Sequence, residues 1–248
     1  MFSKAFLDRL AAAESIAVLT GAGISAESGI PTFRDPGGLW ERMRPEELAN
    51  FSAFLSNPEL VQGWYAHRRH IVDTAEPNEG HRALAELERM FHDFTLVTQN
   101  VDDMHRRAGS RNIVELHGNI MRNYCVDCGR AATEEDLAST IDHGVYRCGS
   151  CGGLVRPDVV WFGEMLPIGV FEAADAAARR ADVFLSVGTS AIVYPAAALP
   201  GTAKVHGAYV VELNIRESAI AEEVDEVVLG PAASVLPDLV RQLRSLRN

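Results

Sequence analysis

Four cysteines form the most specific chemical pattern in the sequence, because they occur as two C-x2-C pairs. The pairs are Cys125 with Cys128 and Cys148 with Cys151, and 19 residues separate them. This spacing is typical of a structural zinc site with four thiolate ligands, which leaves no coordination position open to water. Two disulfides or four unrelated thiols are the alternatives, and we expect no secretory signal that would favour disulfides. The pattern predicts one structural zinc ion.

A glycine-rich turn follows the first apolar run of the chain. Residues 21–26 read GAGISA, which fits G-x-G-x-x-A, a variant of the dinucleotide-binding fingerprint. Glycines in such a turn let backbone amides approach a pyrophosphate at the start of a helix. Taken alone the motif is better explained by a tight structural turn. The acidic residue expected about 20 positions later is also poorly placed, so this is not an ordinary dehydrogenase fingerprint.

Tyr65 and Arg68 are three residues apart in a segment with helical character. Side chains at i and i+3 share one face of a helix. A phenol beside a guanidinium can bind a carboxylate, with arginine forming a two-pronged, charge-assisted bond. A solvated helix face is the alternative, and the pair alone favours that alternative.

Short β-branched runs alternate with helical patterns along much of the chain. Near-continuous apolar strands separated by helices are typical of a parallel sheet covered on both faces, which predicts an α/β, Rossmann-like fold. The predicted strands are Ile16–Thr20, Phe94–Thr98, Ile113–Leu116, Val183–Val187 and Tyr209–Leu213. The predicted helices include His81–Met90, Val170–Arg180 and Leu236–Leu246.

Each predicted strand ends in residues that can bind a ligand. Because ligands of open parallel sheets lie beyond the carboxyl ends of the strands, we expect these residues to line one crevice. They are Gly21-Ala22-Gly23, Gln99-Asn100-Val101-Asp102, His117-Gly118, Gly188-Thr189-Ser190 and Asn214.

Two segments interrupt this βα alternation and predict a small inserted domain. Residues 36–80 contain helical fragments, and residues 119–156 hold all four cysteines with little apolar periodicity. The large domain would then consist of residues 1–35, 81–118 and 157–248.

Composition excludes some partners. The 23 lysine and arginine residues against 34 aspartate and glutamate residues give a net charge of −11. Such a charge repels phosphate backbones and anionic lipids, so we expect neither nucleic acid nor membrane as a partner. The N-terminal segment is typical of an amphipathic helix, and we find no apolar stretch of the ~18–20 residues that a bilayer span requires. We expect a cytoplasmic monomer.

The sequence resembles the sirtuins, the NAD-dependent protein deacylases, over nearly its whole length. The resemblance rests on motifs in the family's order: GAGISAESGIPTFR (21–34), TQNVDDMHRRAG (98–109), ELHG (115–118), the cysteine quartet, VVWFGE (159–164), GTS (188–190) and ELN (212–214). It implies a Rossmann-type large domain, a small helical and zinc-binding domain, and NAD consumed as a co-substrate in the cleft between them.

The resemblance also implies roles for individual residues. Val160, Phe162 and Gly163 would bind the substrate peptide by strand addition, although the run 159–164 is equally typical of a core strand with Trp161 packed inward. The resemblance implies fifteen cofactor-binding residues. Gly21, Ala22, Gly23, Ser25 and Glu27 would form the phosphate-side loop, and Phe33 and Arg34 would cover the nicotinamide. Gln99, Asn100 and Asp102 would bind the nicotinamide and its ribose, and Gly188, Thr189, Ser190, Asn214 and Ala232 would bind the phosphate and adenosine end.

By the same resemblance His117 is the general base. In the family's mechanism the acyl oxygen attacks the anomeric carbon of the nicotinamide ribose and nicotinamide leaves. The histidine then activates a ribose hydroxyl, which attacks the resulting imidate, and water releases the lysine. The products are free lysine and O-acyl-ADP-ribose. An imidazole with a pKa near ~6.5 can accept a proton at neutral pH. A lone histidine is more often structural, but the ELHG context reverses that expectation.

Tyr65 and Arg68 match the Tyr-x-x-Arg signature of the sirtuin class that removes succinyl and malonyl groups, and the segment EPNEGHRA (76–83) fixes the alignment. The resemblance therefore implies removal of succinyl and malonyl groups from lysine, together with acetyl. The alternatives are a deacetylase in the main, an NAD-dependent mono-ADP-ribosyltransferase, and a non-enzymatic NAD-responsive binding module.

Overall fold

The computed structural model describes residues 2–32, 45–139, 141–142 and 144–247. A six-stranded sheet with every strand parallel forms its centre, in the order β11-β10-β9-β1-β2-β3. Its strands are β1 (Ser15–Thr20), β2 (Asp93–Thr98), β3 (Ile113–Glu115), β9 (Val183–Val187), β10 (Tyr209–Asn214) and β11 (Glu226–Leu229). The five predicted strands are confirmed to within a residue at each end, and β11 was not predicted.

Helices cover both faces of this sheet, as the α/β prediction requires. The helices of the described residues are α1 (Lys4–Ala12), α2 (Pro45–Leu48), α3 (Phe51–Ser56), α4 (Pro58–Thr74), α5 (Glu79–Glu88), α6 (Met104–Arg107), α7 (Glu134–Ser139), α8 (Val170–Arg180), α9 (Leu199–Val205) and α10 (Ala232–Arg247). Two short 3₁₀ helices, Ala22–Ser28 and Ala196–Ala198, complete the set.

Two separate apolar cores lie on the two faces of the sheet. On one face α1, α5 and α10 contribute side chains such as Leu10, Leu84 and Leu239. On the other face α8 and α9 pack through Ala174, Leu199 and their neighbours. Alanines on the buried side of α8 allow its backbone to lie close to the strands, because they add little bulk between the two layers.

Helix boundaries differ from the sequence prediction where side chains cap the ends. α5 begins two residues before the predicted start because the Asn78 side chain accepts hydrogen bonds from the amides of Gly80 and His81. α10 begins at Ala232 although Leu236 was the predicted start, next to Pro237. Glu27 accepts a hydrogen bond from the amide of Ala233, which stabilises this extra first turn.

A smaller module lies beside the carboxyl ends of the strands. Helix α4 packs against an antiparallel sheet of β5 (Ala131–Ala132), β4 (Gly118–Cys125) and β8 (Val155–Val159), and helices α2 and α3 pack against α4. A two-stranded ribbon, β6 (Ile141–Asp142) and β7 (Val145–Tyr146), lies nearby in the chain. Strand β8 crosses the predicted boundary between residues 156 and 157, and the domain boundaries remain a prediction.

Within the part of the chain that the structure describes, no helix combines the length and the apolar character that a bilayer span needs.

Candidate active site

A cavity of about 750 Å³ lies at the carboxyl ends of the central strands. Each strand end singled out in the sequence contributes to its wall, through Gly21, Gln99, His117, Gly188 and Asn214. The cavity lies where β1 has β2 on one side and β9 on the other, which is the point at which the strand order reverses. Ligands of open α/β sheets bind at such switch points. The strand ends therefore line one crevice as predicted, except that Asp102 and Gly118 are not part of its lining.

Glycines are required where two loops of this crevice meet. The amide of Gly23 donates to the carbonyl of Gly188 at 2.8 Å. A Cβ added at Gly23 would lie 2.7 Å from that carbonyl oxygen, and one added at Gly21 would lie 2.8 Å from it. Gly188 also has a φ of +58°, in the left-handed region that favours glycine. The tight structural turn is therefore confirmed, and its outer surface lines the cavity in which the fingerprint predicts a dinucleotide.

Three predicted amide side chains fix these loops together. Gln99 Nε2 donates to Thr189 Oγ1, Asn100 Nδ2 donates to the Gly21 carbonyl, and Asn214 Nδ2 donates to the Thr189 carbonyl, each at 3.0 Å. All three amides also line the cavity, as do Ala22, Thr189 and Ser190. The wall is therefore ordered by the side chains that would meet a ligand.

Ser25 and Asp102 lie buried behind the wall and do not line the cavity. Ser25 Oγ donates to Asp102 Oδ2 at 2.6 Å, and the amide of Met104 donates to Asp102 Oδ1. Burial raises the pKa of Asp102, and its hydrogen bonds with Ser25 and Met104 oppose that rise. In this structure the pair supports the glycine-rich loop from within.

Glu27 and Ala232 also lie away from the cavity lining. Glu27 Oε2 accepts from the amide of Ala233 at 2.8 Å, and Ala232 is the buried first residue of α10. Glu27 therefore joins the loop after β1 to the last helix. Phe33 and Arg34, which the resemblance placed over the nicotinamide, lie outside the described residues.

His117 follows β3 and is half-buried in the cavity wall. Its Nδ1 lies 3.0 Å from the carbonyl oxygen of Gln99. Because a carbonyl only accepts, Nδ1 carries the proton and Nε2 keeps its lone pair. Burial lowers the pKa of His117 below its usual value, against the smaller opposing effect of the Gln99 hydrogen bond. The imidazole is therefore neutral at pH 7 and able to take a proton.

Tyr65 and Arg68 line the same cavity from α4, as the i, i+3 spacing predicted. Both side chains are buried, so the solvated-face alternative is wrong. The guanidinium of Arg68 lies 5.6 Å from the centre of the Trp64 ring. Burial lowers the pKa of Arg68, which means that its charge has lost much of its hydration.

The segment 159–164 lines the cavity as a turn that follows β8, because the strand ends at Val159. The amide of Val160 donates to the His117 carbonyl, and the amide of Phe162 donates to the Ala49 carbonyl. Trp161 is buried, whereas Phe162 is 47% exposed. Val160, Phe162 and Gly163 all face the cavity, and the inward Trp161 agrees with the core alternative.

An ion pair that the sequence did not reveal holds this turn. Arg156, 4% exposed, donates to both carboxylate oxygens of Glu164. Glu164 Oε2 also accepts from the amide of Trp161 at 2.8 Å. Burial raises the pKa of Glu164, but its hydrogen bonds with Arg156 and Trp161 outweigh that effect and hold the pKa below its usual value. Arg156 lies in β8 and Glu164 in the turn that follows it, so no single helix or strand relates the two residues and no local pattern indicated the pair.

The four cysteines converge as the zinc prediction requires. Their sulfur atoms all lie within 4.8 Å of one another, with Cys128 Sγ 3.8 Å from Cys148 Sγ. Zn–S bonds of ~2.3 Å in a tetrahedron would place sulfurs ~3.8 Å apart. In each pair the residue after the second cysteine, Gly129 or Gly152, has positive φ and donates its amide to the first cysteine's carbonyl. The donor set fits one structural zinc ion.

Comparisons of the sequence and of the structure with known proteins all match members of one family. A model of the Sir2 family matches residues 21–195. The NAD-dependent protein deacylase 2 of Pyrobaculum aerophilum is 52% identical over 237 residues, which cover 96% of this chain and 94% of that protein. A crystal structure of a Sir2 homolog–NAD complex superposes with a TM-score of 0.92 at 45% identity, over 100% of this chain and 96% of that one. A Sir2 complex with a p53 peptide and NAD⁺ superposes with a TM-score of 0.89 at 33% identity, over 98% of both chains.

Proposed function

Because this chain belongs to the Sir2 family and is an NAD-dependent protein deacylase, we propose that the acyl groups it removes from lysine include succinyl and malonyl as well as acetyl. The observation that carries the proposal is the position of Arg68, a buried guanidinium in the wall of the same cavity as His117.

The electrostatics of Arg68 favour an acidic acyl group. A buried guanidinium has lost hydration, and a carboxylate from the ligand would compensate for that loss. Tyr65 lies one helical turn before Arg68 and lines the same cavity, so its hydroxyl can contribute a second contact. A hydrogen bond to a charged group contributes ~1.5–3 kcal/mol, which corresponds to roughly ten- to a hundredfold in specificity. An acetyl group has no carboxylate and gains nothing from this pair.

His117 is placed to act as the base of the reaction. When bound, NAD supplies the activated nicotinamide–ribose bond and the acceptor for the acyl group. His117 Nε2 can take a proton from a ribose hydroxyl, because the Gln99 carbonyl holds the proton of the imidazole on Nδ1. Gln99, Asn100 and Asn214 keep the loops around the dinucleotide in place.

The test compares three lysine peptides of one sequence, acetylated, malonylated or succinylated, with NAD and with nicotinamide release as the readout. We expect Arg68→Met to lower kcat/KM for the succinyl peptide by roughly ten- to a hundredfold, with a much smaller loss for the acetyl peptide. Arg69→Met is the matched control, because Arg69 is adjacent on α4 but its guanidinium donates to Asn123.

Equal losses on the acetyl and succinyl peptides in Arg68→Met would refute recognition of the acyl carboxylate by Arg68. Mass spectrometry of the products separates deacylation from its rival reaction. Deacylation yields O-acyl-ADP-ribose and free lysine, whereas ADP-ribosyl transfer leaves a modified protein.

A further inference from the structure

The hydroxyl of Tyr65 is not alone in the cavity wall. The indole Nε1 of Trp161 donates to Tyr65 Oη at 2.8 Å. Both side chains are buried, with Tyr65 4% exposed and Trp161 2% exposed, so bulk solvent has little access to this hydrogen bond. The two residues come from different elements, α4 and the turn after β8, and they are 96 residues apart in the sequence.

The chemistry of the two groups determines the direction of the Tyr65 proton. An indole N–H is a donor only, whereas a phenolic hydroxyl has one proton and can also accept. The Tyr65 oxygen therefore accepts from Trp161, and its own proton must turn away from the indole. Burial raises the pKa of Tyr65 above its usual value, so the hydroxyl keeps that proton at neutral pH.

Trp161 is itself held on two sides. Its backbone amide donates to Glu164 Oε2 at 2.8 Å, and the guanidinium of Arg156 lies 3.6 Å from the centre of its ring. Arg156 and Glu164 are joined by two hydrogen bonds. A cation over an indole face is attracted by the electrons of the ring, and this contact together with the ion pair restrains the rotation of Trp161.

We propose that Trp161 is a positioning residue for acidic acyl groups, because its N–H donates to Tyr65 and so presents the Tyr65 hydroxyl as a donor to the acyl carboxylate beside Arg68. The proposal rests on the proposed function and adds to it the residue that orients Tyr65. An acetyl group has no carboxylate to accept this hydrogen bond, so its removal depends much less on the direction of the hydroxyl.

The test is a double-mutant cycle on Trp161→Phe and Tyr65→Phe, read as the ratio of kcat/KM for succinyl and acetyl peptides. Removing one hydrogen bond from a buried site is expected to lower this ratio roughly two- to tenfold in Trp161→Phe. Because Trp161 acts through the Tyr65 hydroxyl, Trp161→Phe should lower the ratio no further in the Tyr65→Phe background.

A second variant separates the lost N–H from the lost volume. A tryptophan analogue with sulfur in place of the indole N–H keeps the ring shape at position 161, and we expect it to lower the ratio as Trp161→Phe does. Two results would overturn the proposal. One is an unchanged succinyl-to-acetyl ratio of kcat/KM with this analogue, and the other is a drop caused by Trp161→Phe that is as large in the Tyr65→Phe background as in the unmodified chain.

These measurements also separate the proposed acyl specificity from the proposed role of Trp161. If Arg68→Met is selective for the succinyl peptide and both Trp161 variants are not, the role of Trp161 is wrong while the acyl specificity stands. If Arg68→Met affects both peptides equally, the proposed specificity fails, and the proposal for Trp161 fails with it.

Discussion

At the scale of single residues, the structure accounts for the protonation state of His117. Its Nδ1 is held by the Gln99 carbonyl, and burial disfavours the imidazolium. A general base must be unprotonated to act, so the lowered pKa extends its working range toward acid. The hydrogen-bond partner is a backbone carbonyl, which no side-chain substitution can remove without moving the chain.

We therefore predict that the acid limb of the pH–kcat/KM profile lies below pH ~6.5, the usual pKa of histidine. Protonation of His117 removes the base, and its lowered pKa moves that loss to lower pH. Nicotinamide release from an acyl peptide between pH 5 and 8 measures it. A midpoint above pH 7 would contradict the assignment.

A substitution of His117 tests whether this residue is the base whose protonation produces the acid limb of the profile. We expect His117→Asn to lower kcat by ~10²–10⁴-fold, the usual contribution of general-base catalysis. The same variant should keep its affinity for ADP-ribose, measured by calorimetry. Full activity with intact binding would show that another group takes the proton.

At the scale of elements, one side chain links α4, which carries Tyr65 and Arg68, to the segment that contains the second cysteine pair. Gln62 on α4 donates to the carbonyls of Tyr146 and Val155 and accepts from the amide of Tyr146. It lies one helical turn before Tyr65 and is 3% exposed. The position of α4 therefore depends on Tyr146, which lies between the cysteine pairs, and on Val155, which follows the second pair. A zinc ion bound by the four cysteines would help to hold both segments in place.

We predict that Gln62→Met lowers the free energy of unfolding by about 2 kcal/mol or more, because it leaves buried backbone groups without partners. It should also lower kcat/KM for acyl peptides more than affinity for ADP-ribose. Urea denaturation and calorimetry measure the two effects. Gln242→Met is the control, since Gln242 donates to Asp238 within the same helix, α10. Equal effects of both substitutions would refute the link.

At the scale of the whole molecule, two buried histidines make stability depend on pH. His81 donates from Nε2 to Ser25 while its Nδ1 accepts from the amide of Asn78, and His105 contacts Thr20. Burial lowers the pKa of His81 to about 4, and it lowers the pKa of His105 as well. In the unfolded chain both would titrate near ~6.5.

We predict that the free energy of unfolding is highest above pH 6.5 and falls as the pH drops toward 4. Below pH 6.5 the unfolded chain binds protons that the folded chain does not, at up to ~1.4 kcal/mol per pH unit for each histidine. Urea denaturation at pH 7.5, 6.5 and 5.5 measures the slope.

Zinc release in acid would add to this slope in every variant, so the comparison with His81→Gln isolates the histidine. That variant should show a shallower dependence than the unmodified chain. Identical slopes would mean that His81 is protonated equally in the folded and unfolded states.

The sequence by itself determined the features that depend on short-range patterns. Apolar runs fixed the five predicted strands, and strand ends located the cavity, because parallel strands point their carboxyl ends in one direction. The C-x2-C spacing predicted the sulfur cluster, and the i, i+3 spacing predicted that Tyr65 and Arg68 share one wall. Each of these arrangements follows from backbone geometry within a few residues.

The tertiary structure alone decided which distant groups meet. Glu27 caps a helix 206 residues later, and Trp161 donates to Tyr65 across 96 residues. No local periodicity encodes such pairs, because partners from separate elements meet only after the helices pack on the sheet. For the same reason the sequence placed the start of α10 at Leu236, next to Pro237, whereas the carboxylate of Glu27 allows the helix to begin at Ala232.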